Sequence, residues 1–409
     1  SGTHTFDAGV ELNFLPETGL TVSQAKMICN GTVSDSVKFK GYTAEIGTWD
    51  GIYFDPNSDN GVSSQFHYTV IQGAGFGSWN ANLYCNGTNE PLLYHCSIRG
   101  SNGHGLRLNS AHLSIEETFF GGNTESGVYL ENSNPSFINS ETSDNQFAGL
   151  YLTSVASEPN FFGMLSENNT CAMYYPSPDF TILPPNGTSL TFTGNTYNGI
   201  CLEGGQVYNN RTWNSISYDY IMLGDLVIGK AASNSRLTIE PGNTVKFVPG
   251  SKLQVGIYIP FSHYGGELYS IGTSDSLITF TSWDGTVGGW EGIYFDDNSD
   301  WYSGYSVLDY CVVENGNDYN MYFYNTNQAL VMNTSIQDAL LDGVKLFNSY
   351  GTFQNCDFSG FGRYPLYFED WRSQPVLTNN TFSGKGINLI GHEGGHITED
   401  RTFQNDGID

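Results

Sequence analysis

Short runs of alternating apolar residues recur along the chain and predict β-strands. In each run a small residue precedes an apolar residue, any residue and a second apolar residue, as in Gly51–Phe54 and Gly127–Leu130. Side chains on a strand point alternately to opposite faces, so the two apolar residues point inward and the middle residue points outward. Most runs recur with a period of about 22 residues, which is typical of a parallel β-solenoid with one coil per repeat.

A coil of this length has room for three strands of about five residues with their turns. Parallel strands joined by crossover connections are almost always right-handed. Helical repeats would need capped segments with a 3.6-residue period, which the sequence lacks. We therefore predict an all-β right-handed parallel β-helix with about 22 residues per coil.

The sequence also repeats on a larger scale. Trp49–Phe54 returns as Trp290–Phe295, and Gly127–Glu131 has a counterpart in Pro365–Glu369 at nearly the same offset. Glu203–Gly205 returns much sooner, at Glu393, so the first copy holds an insertion that the second copy lacks.

These offsets predict a duplicated chain that forms one continuous solenoid. Its first unit covers residues 1–213, with the insertion near residues 154–190. Its second unit covers residues 214–409.

The middle residues of the runs predict an outer face lined by tyrosines, with one cation in each copy. Successive coils lie about 4.8 Å apart, so we expect a single tyrosine ladder on one sheet. Glu131 and Glu369 occupy the next outward positions on their strands. Tyr174 and Cys201 are the centres of the last two runs of the first copy. The predicted outward residues are Tyr53, Tyr84, Arg107, Tyr129 and Tyr151 in the first copy, and Tyr294, Tyr322, Lys345 and Tyr367 in the second.

A row of tyrosines edged by polar groups suits the surface of a sugar chain. Tyrosine offers a rigid apolar ring and a hydroxyl at low entropic cost. The alternative is that the tyrosines only stabilise the sheet through cross-strand pairs. Trp79, Trp301 and Trp371 lie in loops that differ between the copies, which makes them further candidate ligand contacts. Trp49 and Trp290 belong to the repeated motif, and we assign them to the core.

Composition narrows the choice of partners. Lys and Arg total 15 against 42 Asp and Glu, a net charge of −27. Such a surface repels nucleic acids and anionic membranes, and it disfavours polyanionic substrates. No apolar run reaches membrane-spanning length. Seven cysteines form no CxxC pair and lie among apolar residues, so we expect buried free thiols. The chain opens on polar residues, which either an added N-terminal tag or excision of a module from a longer secreted protein would explain.

Two acidic segments share the D-x-N-x-D spacing of calcium-binding loops. Both lack the glycine and the distal glutamate of such a loop, and the alternative is an Asx-rich turn. Ca²⁺ therefore stays an open alternative, and we expect that no cofactor is required. The candidate ligands are Asp55, Asn57 and Asp59, and Asp296, Asn298 and Asp300.

Catalytic residues are harder to find. Glycosidases need two carboxylates roughly 5–10 Å apart. Asp55 and Glu131 lie three coils apart, about 14 Å by the coil spacing, and Asp296 and Glu369 repeat that separation.

Stacked amides that bond along the axis are expected from asparagines that follow the turns, such as Asn139, Asn379 and Asn380, and we assign these a structural role.

One short motif resembles those of polygalacturonase-like β-helical glycosidases. Gly103–Gly105 reads Gly-His-Gly and is followed by Arg107. The paired aspartate motifs that should precede it are absent, and Asp342 stands in the second copy where His104 stands in the first. A lyase would need more cations than Arg107 and Lys345 to hold a uronate. The sequence therefore favours a protein without catalytic activity.

The repeat as a whole resembles a known class of proteins. Leu237–Phe247, Ile278–Ser282 and Trp290–Phe295 are similar to the repeats of secreted right-handed β-helix proteins of Bacteroidetes-type bacteria. Among these, the size and the aromatic surface most resemble carbohydrate-binding module family 89, whose members accompany xylanases of gut bacteria and bind xylan. The resemblance implies a secreted or cell-surface bacterial module, linked to a catalytic domain, that takes part in plant biomass degradation. That family has no diagnostic residue motif to match, so no site residue is carried over from it.

Three functions follow from these observations. The first is a non-catalytic module that binds plant cell-wall polysaccharide, above all xylan, through the aromatic face. The second is a β-helical polysaccharide lyase or glycoside hydrolase. The third is a surface adhesin or scaffold without a glycan site. A close carboxylate pair would favour the enzyme, and a ladder covered by loops would favour the scaffold.

Overall fold

The computed structural model describes residues 2–59, 63–154, 156–181, 186–260, 262–299, 302, 305–327, 329–383 and 389–394. The chain folds as an all-β parallel solenoid of about 15 turns with about 24 residues per turn, which confirms the predicted fold class. It falls into two compact units, residues 1–176 with 185–201 and residues 177–184 with 202–409. The predicted continuity of the solenoid through both units stays a prediction.

Short parallel strands make up the first unit, with one 3₁₀ turn at Gly77–Trp79. The strands are β1 Thr3–Asp7, β2 Glu11–Phe14, β3 Gly19–Val22, β4 Lys26–Asn30, β5 Val37–Gly41, β6 Gly51–Phe54, β7 Gln65–His67, β8 Thr69–Gln72, β9 Ala81–Asn86, β10 Leu92–Tyr94, β11 Ser97–Arg99, β12 His104–Asn109, β13 Ser114–Glu116, β14 Phe119–Gly121, β15 Val128–Glu131, β16 Ser136–Ile138, β17 Glu141–Ser143, β18 Ala148–Leu152, β19 Asn160–Glu167, β20 Cys171–Tyr175, β21 Asn186–Thr193 and β22 Tyr197–Leu202.

The second unit repeats this construction with strands of similar length. They are β23 Gly205–Val207, β24 Arg211–Trp213, β25 Tyr220–Met222, β26 Leu226–Ile228, β27 Lys230–Ala231, β28 Asn234–Ile239, β29 Thr244–Phe247, β30 Leu253–Val255, β31 Ile257–Ile259, β32 Ser262–Ile271, β33 Ile278–Ser282, β34 Ile293–Phe295, β35 Ser306–Asp309, β36 Cys311–Glu314, β37 Tyr319–Tyr324, β38 Ala329–Met332, β39 Ser335–Gln337, β40 Asp342–Phe347, β41 Thr352–Gln354, β42 Asp357–Ser359, β43 Leu366–Phe368, β44 Val376–Thr378, β45 Thr381–Phe382 and β46 Ile390–His392.

Each coil of the first unit contributes one strand to each of three rows. One row runs β3-β6-β9-β12-β15-β18-β20-β22, a second runs β1-β4-β7-β10-β13-β16-β19, and the third runs β2-β5-β8-β11-β14-β17-β19. The register aligns equivalent residues of successive coils, so that Tyr84, Arg107 and Tyr129 face one another across β9, β12 and β15. This stacking turns a repeated sequence position into a row along the solenoid.

The second unit is built from three comparable rows. They are β23-β26-β30-β34-β37-β40-β43-β46, then β24-β28-β32-β35-β38-β41-β44, and β25-β29-β33-β36-β39-β42-β45. Strands β27 and β31 depart from this plan because they pair antiparallel with the long strand β32. Tyr258 and Ile259 of the resulting hairpin are exposed.

The core consists of the inward residues of the runs. The pairs predicted to flank each middle residue are buried, as alternation requires. They are Ile52 and Phe54, Leu106 and Leu108, Val128 and Leu130, Ile293 and Phe295, Met321 and Phe323, and Leu366 and Phe368. Trp49 and Trp290 are fully buried, and all seven cysteines are buried free thiols, as predicted.

An asparagine ladder runs through the first unit at the turns. Asn123, Asn145, Asn169 and Asn195 are buried on successive coils, and each carboxamide donates to the side-chain oxygen of the next. Their side-chain oxygens also accept from the main-chain N–H of the asparagine one coil earlier. The ladder satisfies main-chain donors that the turns would otherwise bury without a partner.

Candidate functional site

The tyrosines form two ladders rather than one. The first ladder, Tyr53, Tyr84, Arg107, Tyr129 and Tyr151, lies on β6, β9, β12, β15 and β18. The second ladder, Tyr294, Tyr322, Lys345 and Tyr367, lies on β34, β37, β40 and β43, which belong to a different sheet. The prediction of a single sheet is therefore wrong. The residue pattern identifies which strand of a coil carries the tyrosine, but it contains no information on which sheet that strand joins.

Rings of the first ladder are in side-by-side contact and half-buried. The centroids of Tyr53 and Tyr84 are 5.1 Å apart, and those of Tyr129 and Tyr151 are 4.9 Å apart, with tilted planes. Trp79 extends the row, with its ring centroid 5.3 Å from that of Tyr53. The tyrosines thus stabilise the sheet through ring contacts, and their side chains stay partly exposed.

The centres of the last two runs of the first copy are buried. Tyr174 packs its ring 4.9 Å from Tyr151 and 4.7 Å from Phe147. Cys201 lies between Ile200 and Leu202, and all three side chains are buried. The first ladder therefore ends at Tyr151, because aromatic packing covers the next position.

Arg107 is the charged centre of the first ladder. Its guanidinium carbon lies 4.7 Å from the ring centre of Tyr84 and 5.5 Å from that of Tyr129. It donates to the main-chain carbonyls of Ser78 and Trp79, at 3.3 and 3.4 Å. Within the described part of the chain, Arg107 forms no ion pair and its buried Nε has no hydrogen-bond partner. A partly buried charge is normally compensated, and here two tyrosine rings and two main-chain carbonyls surround the guanidinium in place of a carboxylate.

A polar network supports the first ladder from one side. His104 is buried, its ring stacks on Tyr129 at 4.5 Å, and its Nε2 lies 2.9 Å from a carboxylate oxygen of Glu125. The same oxygen accepts a hydrogen bond from Asn80. His104 Nδ1 accepts from the main-chain N–H of Ser126. His104, the first residue of β12, thus acts as a packed support for Tyr129.

Stability should depend on pH through this network. The hydrogen bond with His104 is the main cause that holds the pKa of Glu125 below its ordinary value of 4.5. A lowered folded-state pKa means that the ionised carboxylate stabilises the protein at higher pH, and that this contribution disappears as pH falls through the lowered pKa. We therefore expect Glu125→Gln to be less stable than the parent at neutral pH, with a difference that shrinks below about pH 4.5.

Urea unfolding followed by circular dichroism at several pH values would measure this difference. The exposed Glu158 offers a control, and Glu158→Gln should track the parent at every pH. A stability difference for Glu125→Gln that stayed constant from neutral to acid pH would contradict the expectation.

The second ladder differs because its cation is engaged. Lys345 was predicted to be an outward cation, but it is only 8% exposed. Its ammonium lies 2.7 Å from Asp318 and 2.9 Å from Glu369, and Glu369 also accepts a hydrogen bond from Tyr322. These contacts bury Lys345 and occupy the Glu369 carboxylate.

Tyr367 is covered as well. The Arg363 guanidinium lies 4.3 Å from its ring centre, and the ring of Tyr364 is nearly parallel to it at 5.9 Å. Arg363 in turn pairs with the fully buried carboxylate of Asp342.

Burial also affects the other tyrosines of the second unit. It raises the pKa of Tyr294, Tyr319 and Tyr322 well above the ordinary value of 10. All three therefore keep their protons at neutral pH.

The residues that distinguish the second ladder from the first were not identified from the sequence. Asp318, Glu125 and Arg363 lie outside the repeated runs, so the alternating pattern did not single them out. A usable signal was the duplication itself, because the offset that relates Arg107 to Lys345 also places Asp342 and Arg363 where the first copy has His104 and Glu125. The charge pair is thus reversed between the copies, and each pair supports a ladder tyrosine.

The other residues that were predicted to contact a ligand lie in separate places. Glu131 is half-buried and pairs in register with Asn109 beside Arg107. Trp371 is half-buried after β43. Trp301 lies outside the described residues, as does Asp300 of the second acidic segment.

The acidic segments form Asx turns. An Asp55 oxygen accepts the main-chain N–H of Asn57, and Asp59 accepts that of Asn89. Asp296 likewise accepts the main-chain N–H of Asn298, whose own side chain is fully buried and donates to a main-chain carbonyl. Among the described residues, no group of three or more His, Cys, Asp or Glu side chains converges on a metal position. Calcium binding stays a prediction.

A comparison with protein-family models bears on the fold. The family model of the right handed beta helix region matches residues 270–409. This match is in agreement with the parallel solenoid of the structure and with the predicted fold class, a right-handed parallel β-helix. No curated protein matches it. Among the described residues, no helix is long and apolar enough to cross a membrane.

Several solved structures are distantly similar. The catalytic unit of the thermostable GH87 alpha-1,3-glucanase from Streptomyces thermodiastaticus strain HF3-3 is 13% identical with a TM-score of 0.25, over 98% of this chain and 65% of that one. The Siphovirus 9NA tailspike receptor binding domain is 11% identical with a TM-score of 0.23, over 98% and 74%. The Yersinia enterocolitica family 28 exopolygalacturonase is 11% identical with a TM-score of 0.21, over 96% and 72%. This chain spans about two thirds of the glucanase catalytic unit, and similarity at this level carries no information on function.

Proposed function

We propose that the protein binds a β-linked plant polysaccharide, above all xylan, through the first ladder without cleaving it. The observation that carries the proposal is the environment of Arg107, an unpaired guanidinium held between two tyrosine rings. A guanidinium in this position can donate to sugar hydroxyls while the neighbouring ring edges and hydroxyls contact the chain. We further propose that the module is secreted or surface-attached and linked to a catalytic domain.

Polar groups beside Arg107 favour a hydroxyl-rich ligand. Asn109 follows Arg107 at the next outward position of β12, and Glu131 follows Tyr129 in the same way on β15. The site therefore combines a charged donor, an amide and a carboxylate acceptor with a row of tyrosines. Alternating donors and acceptors suit a neutral, hydroxyl-bearing chain better than a polyanion, which the net charge of −27 would repel.

The second ladder supports binding less well. Its carboxylate and its ammonium are already engaged with each other, and the Tyr367 ring is covered by Arg363. The same engagement argues against catalysis there. Asp318 and Glu369 both pair with the Lys345 ammonium, whereas a glycosidase needs one free acid and one free nucleophile or base.

Calorimetry with a soluble neutral xylan, which carries no uronic acid, tests the proposal. Sugar contact with one exposed tyrosine contributes on the order of 1 kcal/mol, so Tyr129→Ala should weaken binding about fivefold. Arg107→Gln should weaken it at least as much, and Tyr367→Ala should weaken it less than Tyr129→Ala. The parent should bind with micromolar to millimolar affinity that depends little on salt.

Two controls make the result interpretable. Tyr208→Ala removes an exposed tyrosine outside both ladders and should bind as the parent does. Thermal melting should show that each variant remains folded. Unchanged binding by folded Tyr129→Ala and Arg107→Gln would refute the ladder as the site, and loss of binding in Trp371→Ala alone would place it in the loops. Sustained release of oligosaccharides from xylan by purified protein would refute the absence of cleavage.

A further inference from the structure

A concave surface lies in the first unit on a different sheet from the first ladder. It is a groove of about 520 Å³ formed where β5, β8, β11 and β14 end, with the loop Tyr42–Ile46 as one wall. Its volume falls within the range of small-ligand sites in proteins. Tyr42 is 70% exposed and Ile46 is also exposed, so the wall is an accessible aromatic and apolar edge.

Polar side chains form a row along the groove. Lys40, Gln72 and Arg99 are aligned on three successive strands. Arg99 is exposed, and its Nη2 lies 3.5 Å from the side-chain oxygen of Gln72. Lys40 pairs with Glu11 at 2.7 Å, whereas no ion pair among the described residues includes Arg99. The groove therefore presents one guanidinium that is free to bind an anion.

Glycines leave the floor of the groove open. Gly73, Gly100 and Gly122 have positive φ values of 76°, 64° and 64°. A side-chain Cβ added at Gly73 or Gly100 would come no closer than 3.9 Å to another atom, and one added at Gly122 would meet nothing within 4 Å. The space above these residues is therefore empty of protein and continuous with the groove.

The duplicated second unit shows that this backbone does not require glycine. Trp49 donates to the carbonyl of Gln72, and Trp290 donates in the same way to that of Glu314. The residues that follow Gln72 and Glu314, namely Gly73 and Asn315, are therefore equivalent. The carbonyl of each accepts a hydrogen bond from the main-chain N–H of the glycine two residues before the tryptophan. Asn315 adopts the same left-handed conformation, with a φ of 65°.

Strand pairing extends the equivalence to the next coil. Gln72 pairs with Arg99, and Glu314 pairs with Gln337, so Asp338 stands where the first unit has Gly100. Asp338 also has a positive φ, of 56°.

Side chains fill the equivalent place in the second unit. Asn315 donates to Thr281, and Gln337 donates to Glu314. The Asp338 carboxylate lies over the glycine of the next coil, Gly360. The equivalent surface of the second unit is therefore filled and acidic.

The two units thus use the same backbone for different surfaces. Uncharged Thr281 and Gln337 stand in the second unit at the positions of Lys40 and Arg99. The first unit has an open groove instead, whose charged lining residues are Lys40, Arg99 and Glu45. Because asparagine and aspartate would satisfy the turn, glycine at these positions serves to keep the space open.

We propose that this groove binds a saccharide unit that carries a single carboxylate, such as a uronic acid. Arg99 would bind the planar carboxylate through paired N–H groups, and Gln72 would bind an adjacent hydroxyl. Tyr42 would pack against the sugar ring across the open glycine floor. The net charge of −27 limits the ligand to a sparsely charged chain or a short fragment.

Titration calorimetry with a xylo-oligosaccharide that carries one glucuronic acid, and with its neutral counterpart, tests this proposal. The parent should bind the acidic oligosaccharide at least tenfold more tightly than the neutral one. Arg99→Gln should reduce that ratio to near one. A double variant, Gly73→Asn with Gly100→Asp, copies the second unit, should fold, and should lose the preference by filling the groove. Gly250→Asn adds a side chain at another glycine that has a positive φ and open space around it. This variant should keep the preference for the acidic oligosaccharide.

Equal affinity of the parent for the acidic and neutral oligosaccharides would overturn the proposal. A ratio that survives in Arg99→Gln, or that is lost in Gly250→Asn as well, would also overturn it. A triglutamate peptide that competes as well as the acidic oligosaccharide would show that the groove recognises carboxylates in general and not a sugar. This experiment measures the ratio of the affinities for the acidic and the neutral oligosaccharide, whereas the first ladder is tested with neutral chains. Each proposal can therefore fail without the other.

Discussion

Replacing Trp49 with alanine is expected to lower the free energy of unfolding by about 3–5 kcal/mol, the usual cost of removing a large buried aromatic side chain. The Trp49 side chain is fully buried, and its ring stacks on Phe14 with a centroid distance of 4.3 Å. Its Nε1 donates to the carbonyl of Gln72 on the next coil. Alanine would leave a cavity and remove this donor, and the surrounding strands can close the space only in part.

Urea unfolding followed by circular dichroism measures the loss. Trp79→Ala is the matched control, because Trp79 is half-exposed and contacts Tyr53 at the edge of the first ladder. It should cost about 1 kcal/mol, as expected for an aromatic contact at a surface. If the two variants lost similar amounts of stability, Trp49 would not be the core anchor that its burial indicates.

The fold was predictable because the solenoid imposes its period directly on the sequence. Each coil needs two inward apolar residues on the same strand, and pairs such as Ile52 and Phe54 record that requirement. The seven buried thiols and the two core tryptophans followed from the same reasoning. The predicted length of a coil was close to the observed value of about 24 residues but slightly low, because loops lengthen some coils.

The division of the tyrosines into two ladders could not be predicted in this way. Alternation shows that Tyr53 and Tyr294 point away from the core, and both do so. The sheet that each strand joins depends on how the chain is connected between the repeats, which the runs do not encode. The prediction that Lys345 is an outward cation was wrong for a related reason. The carboxylate of Asp318 that helps to bury Lys345 comes from outside the runs.

The asparagines illustrate a partial success. Asn380 bonds along the axis as predicted, since it accepts the main-chain N–H of Cys356 one coil earlier. Asn139 and Asn379 instead occupy left-handed turn positions with positive φ. The continuous asparagine ladder that begins at Asn123 was missed, although its members recur in the sequence once per coil. Both roles favour asparagine, so residue type alone does not separate them.

Breaking the asparagine ladder at its middle should have the second large effect. Asn145 accepts from both the main-chain N–H and the side-chain amide of Asn123, and it donates to Asn169 and to the carbonyl of Phe120. Alanine at this position would leave these buried groups unpaired at once. An unpaired buried polar group costs about 1–3 kcal/mol, and losses within a network do not simply add. We expect Asn145→Ala to lose about 3–5 kcal/mol in all.

Two measurements distinguish loss of the ladder from a general effect of removing an asparagine. Asn109→Ala removes a half-exposed asparagine whose side-chain oxygen accepts from Ser110, and it should change stability by less than about 0.5 kcal/mol. Hydrogen exchange should also show faster exchange of the Asn123 amide in Asn145→Ala, because that amide loses its acceptor. Stability and Asn123 exchange that both match the parent would mean that the carboxamides are not held in the ladder in solution. A stability loss without faster exchange at Asn123 would place the cost in side-chain packing instead of in the hydrogen bonds between coils.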